Sequence, residues 1–254
     1  PNHLYMNKGD GTFQDVSRDS GVDDGNWGLG AATADVDNDG DFDLFVSNYV
    51  GPNKLYLNDG SGSFTDVSEA SGLADEGWGK GPSFGDVDHD GDMDLYEGDC
   101  KLANKMYLND GNGVFTDVAD ENPVLKNETV RTKGTAFADI DNDGDLDLYV
   151  VNWGVSNRLY RNDLNDGRFL KISLKGTVSN ADAVGARVSV SSAGKLVGVQ
   201  EVKTLTGFCS QAPLDIHFGL PAAGEYQVDV VFPSGLKSSG TYSSGQTVTI
   251  VEGS

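Results

Sequence analysis

Short segments of alternating apolar and polar residues recur along the chain, separated by turn-forming residues. In one repeat these segments are 31–36, 43–48, 54–58 and 64–68. They are rich in β-branched and aromatic residues, and their period of two is typical of β-strands. The triplet Asn-Asp-Gly at 58–60 and 109–111 indicates hairpin turns, because Asn and Gly tolerate a positive φ. Helical periodicity of useful length is missing from the sequence, so we predict an all-β fold.

The strand pattern belongs to a longer repeat. One motif recurs as HLYMN at 3–7, KLYLN at 54–58, KMYLN at 105–109 and RLYRN at 158–162. A phenylalanine follows each copy after a Gly-containing turn, at Phe13, Phe64, Phe115 and Phe169. Acidic segments that begin at Asp35, Asp86 and Asp139 share the period, and each is preceded five residues earlier by a glycine, at Gly30, Gly81 and Gly134. Repeats of this length with four short strands are typical of β-propeller blades.

The number of repeats is small for a closed propeller. Residues 1–170 contain the tail of one blade and three further blades, whereas closed propellers have typically four to eight. Too few blades leave strands with unpaired edges. We therefore predict that residues 1–170 form part of a larger propeller.

Beyond residue 170 the acidic repeat stops and the composition changes. The predicted strands here are 170–176, 186–192, 196–204, 214–220, 226–232 and 246–252. Alternation is clearest in 186–192 and 226–232, and short turns with Gly, Ser or Pro separate the strands. This pattern predicts a second domain over residues 171–254, with a β-sandwich-like fold.

The chain is strongly acidic. Its 254 residues include 18 basic and 40 acidic side chains, for a formal net charge of −22. Such a charge argues against nucleic acid and anionic membranes as partners. No apolar stretch approaches the 18 or more residues of a membrane span, so membrane insertion is not expected.

Two cysteines, Cys100 and Cys209, are too few for a disulfide-stapled scaffold. The sequence leaves two alternatives open. The cysteines could form one bridge between the domains, or they could be two small buried thiols.

Fifteen aspartates, which account for most of the net charge of −22, lie in three copies of one decapeptide: DVDNDGDFDL at 35–44, DVDHDGDMDL at 86–95 and DIDNDGDLDL at 139–148. We call these loop 1, loop 2 and loop 3. Each has Asp at positions 1, 3, 5, 7 and 9 and Gly at position 6. Carboxylates this close repel one another unless a hard cation lies among them. Oxygen-only ligands on a loop that turns sharply at Gly predict a Ca²⁺ site in each loop, about three in all.

The ligand roles follow from position in the loop. Side-chain oxygens of positions 1, 3, 5 and 9 can point inward, while position 7 offers its backbone carbonyl. Each loop is therefore predicted to supply four side chains and one backbone carbonyl. These ligands are Asp35, Asp37, Asp39, Asp43 and the Asp41 carbonyl in loop 1; Asp86, Asp88, Asp90, Asp94 and the Asp92 carbonyl in loop 2; and Asp139, Asp141, Asp143, Asp147 and the Asp145 carbonyl in loop 3.

Two rival interpretations fit the loops less well. An EF-hand needs a bidentate Glu at position 12 between helices, but position 12 is Val46, Glu97 and Val150. The other rival is an acidic turn that binds no ion. This interpretation could explain a single loop, but it explains three matching loops less well. Mg²⁺ fits less well than Ca²⁺, because it keeps its waters and prefers fewer protein ligands.

The sequence offers no catalytic constellation. No histidine has a ligand position in the loops, and no Ser or Cys is paired with a base. His89 occupies the variable position 4 of loop 2 and is expected to face solvent. His217 lies in a predicted strand and is expected to be structural. We therefore predict a protein that is not an enzyme.

The acidic segments at 34–46, 84–96 and 137–150 resemble FG-GAP/VCBS repeats, the Ca²⁺-binding blades of integrin-α-type propellers. The segments 179–190, 207–220 and 230–235 resemble the ASPIC/UnbV domain. In this order the pair is similar to the cartilage acidic protein family and its bacterial relatives. The resemblance implies a secreted or surface-associated protein that acts in adhesion or protein binding. It also places the family's Ca²⁺ ligands on the fifteen aspartates named above.

Three functional hypotheses remain. The first is a non-enzymatic, Ca²⁺-stabilised recognition module for an unknown protein or glycan, with Trp27, Tyr49, Trp78 and Trp153 as candidate contact residues. Each of these aromatics could instead pack between blades. The second is a purely structural spacer in a larger surface protein, and the third a hydrolase or lyase. Weak Ca²⁺ sites suit an extracellular, cell-surface or periplasmic location, where the ion is plentiful.

Overall fold

The computed structural model describes residues 2–121, 125, 131–205 and 207–254. In the described part of the chain the strands are β1 (Tyr5–Asn7), β2 (Phe13–Asp15), β3 (Trp27–Ala34), β4 (Asp43–Val50), β5 (Lys54–Asn58), β6 (Phe64–Asp66), β7 (Gly79–Gly85), β8 (Asp94–Asp99), β9 (Lys105–Asn109), β10 (Phe115–Asp117), β11 (Arg131–Ala138), β12 (Asp147–Trp153), β13 (Arg158–Tyr160), β14 (Phe169–Lys175), β15 (Arg187–Ser192), β16 (Lys195–Glu201), β17 (Ile216–Gly219), β18 (Glu225–Val231), β19 (Lys237–Ser243) and β20 (Gln246–Val251). The predicted all-β fold is confirmed.

The repeats form separate antiparallel sheets, as a propeller requires. Strands β3 to β6 make one four-stranded sheet in sequence order, and β7 to β10 make the next. Flanking them are the two-stranded sheet β1–β2 and the three-stranded sheet β11–β12–β13. Each repeat thus pairs neighbouring strands through short turns, which is the blade architecture. These sheets do not close into a ring within the described residues.

Adjacent blades meet along their first strands, β3, β7 and β11. The recurrent glycine of each first strand lies where the backbones come closest. A Cβ on Gly30 would lie 2.5 Å from the Lys80 carbonyl oxygen, and one on Gly81 would lie 2.9 Å from Gly134 Cα. Any larger residue would therefore push the blades apart. A register shift at each of these glycines marks a β-bulge.

Apolar side chains of neighbouring blades share one core. Phe45, Leu55, Leu95 and Tyr107 belong to a single buried cluster although they come from two sheets. A second cluster joins Tyr96 of one blade to Leu148 and Val150 of the next, together with other side chains. The blades are therefore held together by hydrophobic burial between faces.

The second domain is a two-layer β structure. One layer has the strand order β17–β14–β20 with β14 and β20 parallel, and the other has the order β16–β15–β18–β19. Buried aliphatic and aromatic side chains such as Ile172, Val188, Val228 and Phe232 fill the space between the layers. The six predicted strands are present. The sequence prediction missed β19, whose sequence KSSGTYS has little apolar content because it lies at the edge of its sheet.

The connection between β16 and β17 leaves the second domain and runs along the first strands of three blades. The Gly207 N–H donates to Ala31 O at 3.2 Å, and the Phe208 N–H donates to Lys80 O at 3.1 Å. Ser210 Oγ accepts the Thr135 N–H at 3.0 Å. The second domain therefore supplies backbone and side-chain partners to polar groups at the centre of the propeller segment.

The two cysteines do not form a bridge. Cys100 is half-buried, and its thiol donates to Thr132 O at 3.0 Å, whereas Cys209 is exposed. The bridged alternative is thus wrong for this structure. The alternative of two buried thiols is also wrong for Cys209, which lies in the connection between β16 and β17.

Candidate metal centre

The three acidic loops share one backbone conformation. Loop 1 joins β3 to β4, loop 2 joins β7 to β8, and loop 3 joins β11 to β12. Position 6 is a glycine with φ of 97°, 98° and 99° in the three loops, and position 4 has φ of 58°, 61° and 62°. Two left-handed residues bend each chain around the space that the aspartates enclose. Each loop continues directly into a strand, unlike the helix that follows an EF-hand loop.

In each loop the conformation gathers several of the predicted ligands. Carboxylate oxygens within 4.8 Å of one another come from Asp35, Asp37 and Asp39 in loop 1, from Asp86, Asp88 and Asp90 in loop 2, and from Asp139, Asp141 and Asp147 in loop 3. Loops 1 and 2 thus bring together positions 1, 3 and 5, whereas loop 3 brings together positions 1, 3 and 9. All of these donors are hard oxygens.

Some of these oxygens are buried without a hydrogen-bond partner among the described residues. They are Asp35 Oδ1, Asp37 Oδ1, Asp88 Oδ1 and Asp139 Oδ1. An unsatisfied buried carboxylate oxygen is costly, because it has lost water without gaining a donor. All belong to positions 1 and 3 of their loops, and Asp145 Oδ1 at position 7 of loop 3 is a further buried oxygen without such a partner. The donor set therefore fits a small hard cation.

The carboxylates of the loops are difficult to ionise together. Burial, followed by neighbouring carboxylates, raises the pKa of Asp35 to about 7. Burial is also the largest cause that raises the pKa of Asp86 to about 7 and that of Asp90 to about 6. A divalent cation among these groups would favour their ionised forms by opposing both burial and mutual repulsion.

The aspartate at position 9 has a further structural role. Asp94 Oδ2 accepts the Val87 N–H at 2.9 Å, and Oδ1 accepts the Asn109 N–H at 3.0 Å. The equivalent residues Asp43 and Asp147 make the same two kinds of bond in loops 1 and 3. Position 9 therefore holds each loop against the hairpin of its own blade through both carboxylate oxygens.

Positions 5 and 7 also bond within and beyond the loops. The N–H of position 7 donates to the carboxylate of position 5 in every loop, at 2.8 to 3.0 Å. The side chain of Asp92 leaves its loop and accepts the Asn38 amide at 2.6 Å, which links loop 2 to loop 1. Asp145 Oδ2 accepts the Asn165 N–H at 2.8 Å. The predicted role of the position 7 carbonyls as ligands stays a prediction.

Each loop receives at least one basic side chain from the chain beyond the last blade strand. Arg187 donates to Gly40 O in loop 1, and Arg168 donates to His89 O in loop 2 at 3.0 Å. Lys171 Nζ lies 3.2 Å from Asp139 Oδ2 and 3.1 Å from Asn142 Oδ1 in loop 3. Arg168 lies just before the second domain, and the second domain itself contacts loops 1 and 3 with positive charge.

The sequence analysis missed these basic contacts. One signal was available for Arg168, which precedes Phe169 where the other repeats have Thr12, Ser63 and Val114. A long cation at a position otherwise held by small or apolar residues indicates a contact specific to that repeat. The contacts of Arg187 and Lys171 had no such signal, because they depend on how the second domain docks.

His89 does not face solvent, so that prediction is wrong. The side chain is fully buried between loop 2 and loop 3. Its Nδ1 bonds to Asp166 Oδ1 at 2.8 Å, and its Nε2 lies 3.8 Å from Asp145 Oδ1. The ring also stacks on His217, with centroids 5.7 Å apart. His217 is buried and its Nε2–H donates to Gly144 O at 2.7 Å, which agrees with the predicted structural role.

Replacing His89 with Asn tests this contact, because loops 1 and 3 have Asn at the same position with a similar φ. The backbone can therefore keep its conformation. We expect His89→Asn to lower the free energy of unfolding by about 1–3 kcal/mol, through loss of packing and of a buried hydrogen bond. Thermal unfolding of His89→Asn, Asp166→Asn and the double variant measures the coupling. Additive effects of the two changes would contradict a direct His89–Asp166 interaction.

The candidate aromatic residues lie at the end of the blades opposite the acidic loops. Tyr49 and Trp78 come from adjacent blades and contact each other, with ring centroids 4.4 Å apart. For this pair the alternative of packing between blades is partly right. It is wrong for Trp27 and Trp153, which are 67% and 62% exposed.

Comparison with protein families assigns both parts of the chain. The model described as "FG-GAP-like repeat" matches residues 1–46, 35–97 and 99–150. The model described as "ASPIC and UnbV" matches residues 176–254. The first covers the three acidic loops and the blades as far as residue 150, and the second covers most of the two-layer domain.

Three curated proteins are similar over much of the chain. Cartilage acidic protein 1 of Homo sapiens is 27% identical over 280 residues, which cover 99% of this chain and 40% of that protein. The Xenopus tropicalis protein of the same name is 27% identical over 274 residues, with 99% and 41% covered. The Mus musculus protein is 28% identical over 197 residues, with 70% and 30% covered. The chain thus spans well under half the length of these relatives.

Proposed function

This chain belongs to the FG-GAP-like repeat family, and on that basis we propose that it is a non-enzymatic module in which Ca²⁺ stabilises propeller blades. The blades present a surface that recognises a protein or glycan ligand. The module works outside the cell, at the cell surface or in the periplasm, where free Ca²⁺ suits weak sites. The relatives named cartilage acidic protein 1 support this setting through family membership.

The calcium assignment rests on the unpaired buried oxygens of positions 1 and 3. Asp37 Oδ1 and Asp88 Oδ1 occupy equivalent places in different loops, and each is buried without a donor among the described residues. The remaining loop carboxylates and the position 7 carbonyl would complete a set of oxygen ligands. Six to eight oxygens suit Ca²⁺, whereas Mg²⁺ needs a smaller and more regular set. Bound Ca²⁺ would supply charge neutralisation and cross-linking of the loop.

Counting bound ions tests the calcium sites directly. Each loop holds its own cluster, so the double variant Asp88→Ala, Asp90→Ala is expected to bind two Ca²⁺ where the unaltered chain binds three. Equilibrium dialysis followed by elemental analysis gives the count. The matched control is Asp19→Ala, Asp182→Ala, which removes the same charge from exposed positions outside the loops. An unchanged count in the loop variant would contradict the assignment, and loss of all three ions would contradict independent sites.

The recognition role is supported by the exposed aromatic residues. Trp27 and Trp153 expose more than half of their surface although burial of such side chains is strongly favourable. Large exposed rings on one end of a fold are typical of ligand-binding surfaces. A spacer domain would have no need of them. The same observation gives no support to a hydrolase or lyase, which requires groups placed for acid–base chemistry.

A binding comparison separates recognition from the spacer alternative. The full chain with Ca²⁺ is presented to a panel of defined glycans and purified extracellular proteins, next to the double variant Trp27→Ala, Trp153→Ala. A recognition module should bind at least one member with an affinity that the variant loses. Equal binding by both proteins, or none at all with the fold intact, would favour the spacer.

A further inference from the structure

A second set of basic residues lies on the end of the blades opposite the acidic loops. We call this end the distal face; it comprises the residues at and next to the starts of β3, β7 and β11 and the ends of β4, β8 and β12, together with the segment around Phe208 that crosses them. Its basic side chains are Lys80, Lys101, Arg131 and Lys133. The chain has 18 basic and 40 acidic residues, so a group of positively charged side chains on one face is unusual in it.

These cations lie against aromatic rings. Lys101 Nζ is 5.4 Å from the centre of the Trp78 ring, which itself contacts Tyr49. Lys80 Nζ lies 5.8 Å from the Tyr49 ring centre and 5.6 Å from that of Phe208. Aromatic residues from two blades and the second domain therefore meet around two ammonium groups.

The next blade extends this arrangement. Lys133 Nζ is 4.5 Å from the centre of the Trp153 ring, and the Arg131 guanidinium is 5.8 Å from it. Cys100, beside Lys101, donates to Thr132 O between the two basic residues. The surface is thus continuous from one blade to the next. Cation–π contact orients the rings while leaving charge available to a ligand.

Among the acidic side chains nearby, Glu76 is exposed two residues before Trp78, whereas Asp99 does not cancel this charge at the surface. Asp99 is only 6% exposed and accepts the backbone N–H groups of Trp78, Lys101 and Leu102. Its carboxylate is therefore directed into the protein. The acidic loops lie at the other end of the same strands. The distal face consequently presents positive charge and flat apolar rings together.

We propose that the distal face binds an anionic oligosaccharide, a sulfated or uronate-containing glycan, and this inference rests on the recognition function proposed above. Exposed Trp and Tyr rings match the flat C–H faces of pyranose rings, and neighbouring Lys and Arg match sulfate or carboxylate. A neutral glycan would use the rings and leave the cations without partners. An acidic peptide would use the cations but has no flat face to place on Trp153.

The test measures binding of fluorescent probes to the full chain in Ca²⁺. The probes are a heparin-derived hexasaccharide, a hexamer of galacturonate, maltohexaose as the neutral control, and a hexaglutamate peptide. We expect the sulfated or the uronate probe to bind, and the stronger of the two identifies the anionic group. Binding of the anionic probe should weaken as salt increases. Maltohexaose and hexaglutamate should bind at least ten times more weakly.

Variants locate the site on the distal face. Trp153→Ala and Lys133→Glu are each expected to raise the Kd of the anionic glycan at least tenfold. Lys175→Glu is the matched control, since Lys175 is exposed on the second domain and the change in charge is the same. Its Kd should stay within about twofold of the unaltered chain. Melting temperatures of all three variants establish that the fold is retained.

Each of the other outcomes would overturn the anionic glycan as the ligand. The proposed recognition function could still be tested separately in each case. Equal binding of maltohexaose would make the ligand a neutral glycan, and tighter binding of hexaglutamate would make it an acidic peptide; recognition would stand in both cases. Equal effects of Lys133→Glu and Lys175→Glu would mean attraction by overall charge only. If no probe bound, glycans would be excluded as ligands. The panel of purified extracellular proteins described above would still decide between a recognition module and a spacer.

Discussion

Removal of Ca²⁺ with EGTA is expected to lower the melting temperature of the chain by about 8–16 °C. At a free Ca²⁺ concentration ten times the dissociation constant, one site adds roughly 1.4 kcal/mol to the free energy of unfolding, and three sites add about 4 kcal/mol. In a domain of this size 1 kcal/mol corresponds to about 2–4 °C. Differential scanning fluorimetry in Ca²⁺ and in EGTA measures the difference.

Mg²⁺ provides the control for this experiment. The same concentration of Mg²⁺ added after EGTA is expected to restore only a small part of the lost melting temperature, because Mg²⁺ releases its waters reluctantly. The difference in melting temperature between Ca²⁺ and EGTA should depend on the Ca²⁺ concentration, because Ca²⁺ stabilises the native state by binding to it. An identical melt with and without EGTA would remove the basis for the calcium proposal.

The second large effect concerns two aspartates of the same loop that have different roles. Asp94→Ala is expected to lower the free energy of unfolding by about 3 kcal/mol in EGTA, and by roughly 1.4 kcal/mol more in Ca²⁺ because Asp94 is also a proposed ligand. The reason for the loss in EGTA is that Asp94 accepts the N–H groups of Val87 and Asn109, and each buried donor left unsatisfied costs about 1–3 kcal/mol. Asp88→Ala should reduce stability only in Ca²⁺, since Asp88 Oδ1 has no donor to lose.

Thermal unfolding of both variants in the two buffers makes this comparison. In EGTA the Asp88→Ala protein should match the unaltered chain or exceed it slightly, because one member of a repelling carboxylate cluster is gone. Asp94→Ala should remain about 6–12 °C lower. A deficit of Asp94→Ala that disappears in EGTA would show that position 9 acts only through the metal.

The repeated features of this chain could be predicted because every copy supplies the same signal. The strands of the blades, the hairpins at Asn-Asp-Gly and the left-handed bend at Gly40, Gly91 and Gly144 depend on residues close in sequence. Repetition also distinguishes positions that keep the same residue in every copy from positions that vary. The glycines at Gly30 and Gly81 were recognisable in this way, although their reason, close approach of neighbouring first strands, needed the structure.

The features that were missed occur once and depend on contacts between distant parts of the chain. His89 stands at a variable position, so its burial against Asp166 could not be read from loop 2 alone. Strand β19 has almost no apolar residues, and its place at the edge of a sheet is set by β18. Arg187 reaches Gly40 only because the second domain docks on the loops.

The connection between β16 and β17 has a consequence for how the protein folds. Many repeat proteins unfold unit by unit, because each unit contacts only its neighbours. Here Gly207 pairs with Ala31, Phe208 with Lys80 and Ser210 with Thr135, so three blades share partners that are synthesised after all of them. Such contacts of very long sequence separation slow folding and bind the blades into one cooperative unit. A blade of this chain is therefore a repeat in sequence but not an independent unit of stability.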